Sequence, residues 1–125
     1  MNVVDSSAWL SYFSGDGNTE RFAKPIEDID SLIVPSITLT EVFKCILRQR
    51  DEGIALQVVA QMQQGRVIAL DSSLALNAAS LGVKYKLPLA DSIIYATAKK
   101  YQALVWTQDV DFKTLSGVKY YPKAK

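Results

Sequence analysis

With 125 residues and 49% apolar content, the chain is long enough to bury one sizeable core and too short for two, so a single domain over residues 1–125 is expected. A net charge of +1 supplies no global field toward nucleic acid or an anionic membrane and leaves only local basic patches open. There is no histidine and one cysteine, Cys45, which excludes an intrachain disulfide, a histidine-activated thiol and a zinc site of imidazoles or several thiolates.

Asn2 to Val4 is a short apolar run that stops at Asp5, and Ser6 or Ser7 is placed to cap a helix carrying Trp9, Tyr12 and Phe13. This opening has no basic leader, which predicts no secretory signal; nothing approaches a membrane span, so cytoplasm is the expected compartment. Ser14 to Asn18 is turn chemistry with two glycines. A helix over about Thr19 to Ile29 leads into a β-branched strand, Leu32 to Val34, closed by Pro35. Ser36 reads as the N-cap of the clearest amphipathic helix, with Leu39, Val42, Phe43, Ile46 and Leu47 on one stripe. Cys45 falls in that pattern and is expected to be a small buried side chain. Gly53 is expected to break the helix, another runs to about Gln64, and Gly65 precedes a strand from Val67 to Leu70. Asp71 or Ser72 caps a helix through about Tyr85, after which Leu87-Pro88 turns the chain into a helix from about Ala90 to Tyr101. Leu104 to Trp106 reads as a buried strand, Asp109 to Leu115 as a short helical turn, and Val118 to Tyr121 as a last strand.

Strands alternating with helices of this length call for an α/β fold, a three-layer α/β/α sandwich around a central, mainly parallel sheet. In such sheets ligands bind beyond the carboxyl ends of the strands. Asp5 follows the first strand directly and Asp109 follows the Leu104 to Trp106 strand, while Glu41 and Asp91 lie in the first turns of helices that can begin on the same edge. Two carboxylates about 4 Å apart repel by roughly 4 kcal/mol at an effective dielectric near 20, so several acids share a pocket only if a cation holds them. With oxygen donors alone the expected ion is hard, Mg²⁺ or Mn²⁺.

Each acid also has a purely structural reading. Asp5 can cap a helix, and Asp91 gains about 0.3–1 kcal/mol from the helix macrodipole whatever else it does. Asp91 nevertheless flanks the stripe of Ala90, Ile93, Ile94, Ala98 and Tyr101, as suits a carboxylate at the rim of a core. The helical wheel leaves Glu41 undecided. Of Asp109 and Asp111, one can cap the turn that follows and one is expected to touch metal. Ser6 and Thr107 are placed to bond the carboxylates or orient a water. Asp71, Asp16, Asp28 and Asp30 read as cap, loop or linker residues, and Trp9, Tyr12, Phe13 and Trp106 as core. Lys44, Arg48, Arg50, Lys84, Lys86, Lys99 and Lys100 read as solvated faces, with a phosphate-tracking rim as the alternative.

Four segments in series, Val3-Val4-Asp5-Ser6-Ser7-Ala8-Trp9-Leu10, Ser36-Ile37-Thr38-Leu39-Thr40-Glu41-Val42, Leu87 to Ala98 around Ala90-Asp91-Ser92, and Trp106-Thr107-Gln108-Asp109-Val110-Asp111-Phe112, closely resemble the PIN-domain ribonucleases. Within them the chain looks like the small VapC-type toxins of toxin–antitoxin pairs. The resemblance implies that Asp5, Glu41, Asp91 and Asp109 are the catalytic acids, with Asp5, Asp91 and Asp109 holding one or two Mg²⁺ or Mn²⁺ ions and Asp111 as second choice to Asp109. It further implies a homodimeric endoribonuclease that cuts RNA by metal-activated water, leaving 5′-phosphate and 3′-hydroxyl ends, and that is neutralised by a cognate antitoxin. Two other readings stand beside it: a non-catalytic RNA- or protein-binding module of the same fold, and an acidic-site phosphatase or receiver-like domain. Ser7 stands where a haloacid-dehalogenase phosphatase has its second aspartate, and no paired acids precede a mid-chain phosphoacceptor.

Overall fold

Each inner strand is a short apolar run whose successive residues face opposite sides, so a few residues bind two helical layers to one sheet. The computed structural model describes residues 1–123. Strands β1 (Asn2–Val4), β2 (Leu32–Pro35), β3 (Arg66–Ile68), β4 (Leu104–Thr107) and β5 (Val118–Tyr120) form one sheet in the order β3-β2-β1-β4-β5, with every pairing parallel. Among the described residues, six α-helices flank it: α1 (Ser6–Ser14), α2 (Thr19–Glu27), α3 (Ser36–Gln49), α4 (Glu52–Met62), α5 (Ser72–Tyr85) and α6 (Leu89–Lys100). This is the three-layer α/β/α sandwich expected from the sequence.

One face of the sheet presents Val4, Leu32, Val34 and Trp106 to Ala8 and Trp9 of α1, Phe22 and Ile26 of α2, Val42 and Ile46 of α3, and Ala55, Val58 and Met62 of α4. The other presents Val3, Ile33 and Val105 to Ile94, Tyr95 and Ala98 of α6, with Phe112 sealing the edge. Helix α5 lies outside α6, packing Leu74 and Ala78 on Ile93 and Ala96. Each fully buried aliphatic or aromatic side chain here contributes about 1.5–3 kcal/mol relative to exposure. Gly15, which ends α1, and Gly117, before β5, take φ of 74° and 73°, and a Cβ on Gly65 would come within 2.9 Å of Val34 Cγ2.

Several local expectations are corrected. Asp5, not Ser6 or Ser7, caps α1, accepting from Ala8 N. Ser36 is the first residue of α3 and Pro35 holds its cap position, while Thr38 Oγ1 donates back to the Pro35 carbonyl at 2.7 Å. Gly53 lies inside the first turn of α4; α3 ends at Gln49 with Arg50 at its cap position, and Asp51 caps the new helix through Ile54 N. Cys45 is only half-buried, because the stripe that α3 turns to the core runs through Val42 and Ile46. Asp71 caps α5 at 2.8 Å from Leu74 N, the first of the two alternatives.

Candidate active site

The strand order reverses at β1, which has β2 on one side and β4 on the other, and the crevice at such a switch point opens beyond the strands' carboxyl ends. Asp5 stands at that end of β1, only 2% exposed. Its Oδ1 accepts from Ala8 N at 2.9 Å and Ser7 Oγ at 2.8 Å, and its Oδ2 accepts from Thr107 Oγ1 at 2.6 Å. Thr107, the last residue of β4, also accepts through Oγ1 from Asp109 N at 2.8 Å, so one buried hydroxyl ties together two acid-bearing segments that follow adjacent strands. Asp109 Oδ1 in turn accepts from Asp111 N at 2.9 Å and starts the short 3-10 turn of Val110–Phe112.

Asp91 comes from the helical layer on the side of the sheet away from α1, in the first turn of α6. One carboxylate oxygen from each of Asp91, Asp109 and Asp111 falls within 4.8 Å of the others. Glu41, in α3, is tied to the same edge by Ser6 Oγ, which donates to its Oε1 at 2.6 Å. The structure thus brings Asp5, Asp91, Asp109 and Asp111 together with Glu41 beside them. It places both Asp109 and Asp111 in the tightest grouping, with Asp5 more deeply buried behind it.

The electrostatics follow from this crowding. Burial pushes the Asp5 carboxyl up to about 6 against three hydrogen bonds that favour its charged form, and Asp109 adds repulsion. Asp91 is pushed up to about 8, first by burial, then by the charges of Asp109, Asp5 and Asp111 and by a hydrogen bond shared with Asp109. The charged groups acting most strongly on Asp91 are all acids. A hard divalent cation fits this donor set: the oxygens are close enough to share it, all are carboxylate, and its charge would remove the repulsion that lifts Asp91.

Sequence reasoning missed how the site is braced. Ser7 Oγ, besides bonding Asp5, accepts from Gln108 N at 3.3 Å. Asn18, buried in the loop between α1 and α2, donates through Nδ2 to Gln108 Oε1 at 3.0 Å and to the Pro122 carbonyl at 2.9 Å. An asparagine in a turn looks the same in sequence whether it bonds its own loop or a side chain 90 residues away. Asp16 is a loop residue as expected, accepting from Asn18 N and Ser11 Oγ.

The sequence profile of the PIN domain matches residues 3–118. The chain belongs to the PIN domain family. Its fold is shared by a toxin–antitoxin complex from Klebsiella pneumoniae at 23% identity and TM-score 0.79, covering 98% of this chain and 99% of that one. VapC20 of Mycobacterium tuberculosis, a sarcin-ricin loop cleaving toxin, matches at 18% identity and TM-score 0.79, covering 98% and 100%. FitAcB from Neisseria gonorrhoeae matches at 18% identity and TM-score 0.69, covering 98% of each chain. Comparison with curated protein sequences found no match. Family membership makes this PIN domain a nuclease-type domain, and none of its described helices is long and apolar enough to cross a membrane.

Proposed function

We propose that this PIN domain is a Mg²⁺- or Mn²⁺-dependent endoribonuclease, acting as a single domain and serving as the toxin of a toxin–antitoxin pair in the cytoplasm. The observation that carries the reading is the convergence of Asp91, Asp109 and Asp111, from two layers of the fold, within 4.8 Å at the switch point of the sheet. Asp91, Asp109 and Asp5, with Asp111 alongside, would hold the ion directly or through water. When bound, such an ion supplies Lewis acidity toward a phosphodiester oxygen and an attacking water at neutral pH.

The chain's own groups do the positioning. Thr107 and Ser7 lock the Asp5 carboxylate, and Asp5 thereby keeps one orientation toward the crevice. Ser6 occupies Glu41 Oε1, which leaves Oε2 to accept from a water or a substrate hydroxyl. No histidine is present to take a 2′-hydroxyl proton, so hydrolysis to 5′-phosphate and 3′-hydroxyl ends is expected over a 2′,3′-cyclic route.

Two apolar surfaces support the proposed partners. A shallow groove of about 420 Å³, lined by Leu39, Phe43, Leu47 and Val59 with Thr40 and Lys44, suits the apolar side of an antitoxin segment. Leu76 and Val83 on α5 and Leu89 at the start of α6 are 72%, 84% and 79% exposed, an apolar strip suited to a second copy of the chain.

The decisive assay is cleavage of structured RNA, with and without Mg²⁺ or Mn²⁺, by the protein and by Asp5→Asn. Cation-dependent cleavage lost in Asp5→Asn is the expected result. RNA binding with no cleavage by the unmodified protein would make it a binding module instead, and phosphomonoester hydrolysis without RNA cleavage would make it a phosphatase.

A further inference from the structure

An acidic crevice repels the polyanion it is proposed to cut, so attraction has to come from nearby. The sequence after Asp111 carries Lys113, Lys119, Lys123 and Lys125 and no acidic residue. Strand β5 lies in this stretch, at the end of the sheet, and its carboxyl end abuts the site: Tyr120 pairs with Thr107, and Tyr121 N donates to the Thr107 carbonyl at 2.9 Å. Thr107 is the residue that bonds Asp5.

The cations along this edge are held in place. Lys119 Nζ stands 5.4 Å from the centre of the Trp106 ring, and Lys113 Nζ 6.0 Å from that of Tyr120. The Arg21 guanidinium covers Tyr121 at 4.7 Å, while Tyr121 stacks on Trp106 at 6.2 Å. Guarding an edge strand against pairing explains one lysine on β5. It does not explain Arg21, which comes from α2, or Lys113, which precedes the strand. A cation resting on an aromatic face is partly ordered before it meets an anion, so a phosphate contact costs less side-chain entropy.

We propose that the β5 edge is the lane by which a single-stranded RNA backbone reaches the acidic crevice, with Lys113, Lys119 and Arg21 as its phosphate contacts. This rests on the ribonuclease reading and adds the face from which substrate enters. The contacts are to backbone, so they set affinity and direction without reading sequence.

The test uses a fluorescein-labelled single-stranded RNA of mixed sequence, bound by the non-cleaving Asp91→Asn protein across a range of salt. Adding Arg21→Gln, Lys113→Gln and Lys119→Gln together should weaken binding by about tenfold or more and lower the slope of log affinity against log salt by about 2, given roughly 0.7 per phosphate on a single strand. The charge-keeping set Arg21→Lys, Lys113→Arg and Lys119→Arg should restore both, which separates lost charge from a damaged fold. Lys99→Gln with Lys100→Gln, at the far end of α6, should change neither. In the cleaving protein the neutral set should lower kcat/KM and leave kcat intact. Unchanged affinity, slope and kcat/KM in the neutral set would overturn the proposal and leave the edge to a protein partner. Absence of cation-dependent cleavage by the unmodified protein would sink the ribonuclease reading itself, and absence of RNA binding would sink both.

Discussion

Helix α6 carries charge at both ends, and the ends behave in opposite ways. At its C-terminus Lys99 and Lys100 lie in the last turn, exposed, where the macrodipole favours them. Lys99 rests over Tyr95 and donates to Ser116 Oγ at 3.2 Å, and Lys100 lies over Tyr101. These partners suit a cation. At the N-terminus the macrodipole equally favours the Asp91 carboxylate, yet Asp91 is driven up to about 8. Burial and three other acids outweigh the roughly 0.3–1 kcal/mol a helix end can offer. One end is arranged for stability alone. The other gives up stability for a cluster that makes physical sense when a cation completes it, as functional sites commonly do.

The sharpest way to break this contrast is Asp91→Asn. Cleavage should fall by about 100-fold or more, the scale seen even for groups that only orient metal ligands. The metal-free protein should meanwhile gain on the order of 1 kcal/mol at pH 8 after allowance for solvent screening, about 4 °C in a thermal melt. A variant that loses both activity and stability would show that Asp91 is structural.

Thr107→Val comes next. It strips the donor from buried Asp5 Oδ2 and the acceptor from Asp109 N, so stability should drop by about 1–3 kcal/mol in a urea titration. Cation affinity measured by calorimetry should fall by about 10–100-fold. Unchanged cation affinity would mean that Asp5 and Asp109 need no alignment. The smallest effect belongs to Lys100→Ala, which should shift stability by about 0.5 kcal/mol or less and leave cleavage alone. A larger loss would show that the two ends of α6 are not separable.

Much of this contrast was legible in the sequence. Asp5 after an apolar run, Asp91 opening a periodic helix and Asp109 after a buried strand located the carboxyl edge, because strand ends and helix starts leave local signatures. The choice between Asp109 and Asp111 was not legible, since both sit in one turn and its hydrogen bonding decides their directions. Glu41 remained undecided on the wheel for a related reason: the partner that ties it in, Ser6, is 35 residues away. The Ser7, Gln108 and Asn18 bracing is likewise a product of tertiary contact. The corrected helix starts at Asp5, Pro35 and Asp51 show that several neighbouring residues can cap, and packing selects among them.

The central claim, that these carboxylates are built to hold a divalent cation, is tested most directly by thermal melts across pH in EDTA and in saturating Mg²⁺ or Mn²⁺. Asp5 and Asp91 rise from an ordinary 3.8 to about 6 and about 8 in the folded chain, so between those values the native state keeps protons that the unfolded chain has released. The contribution of these two groups to stability in EDTA should therefore be fullest below about pH 4 and be lost as pH rises toward 8. The cation should reverse the decline, and Asp91→Asn should flatten it. Superimposed melting curves with and without cation at pH 8 would contradict the account.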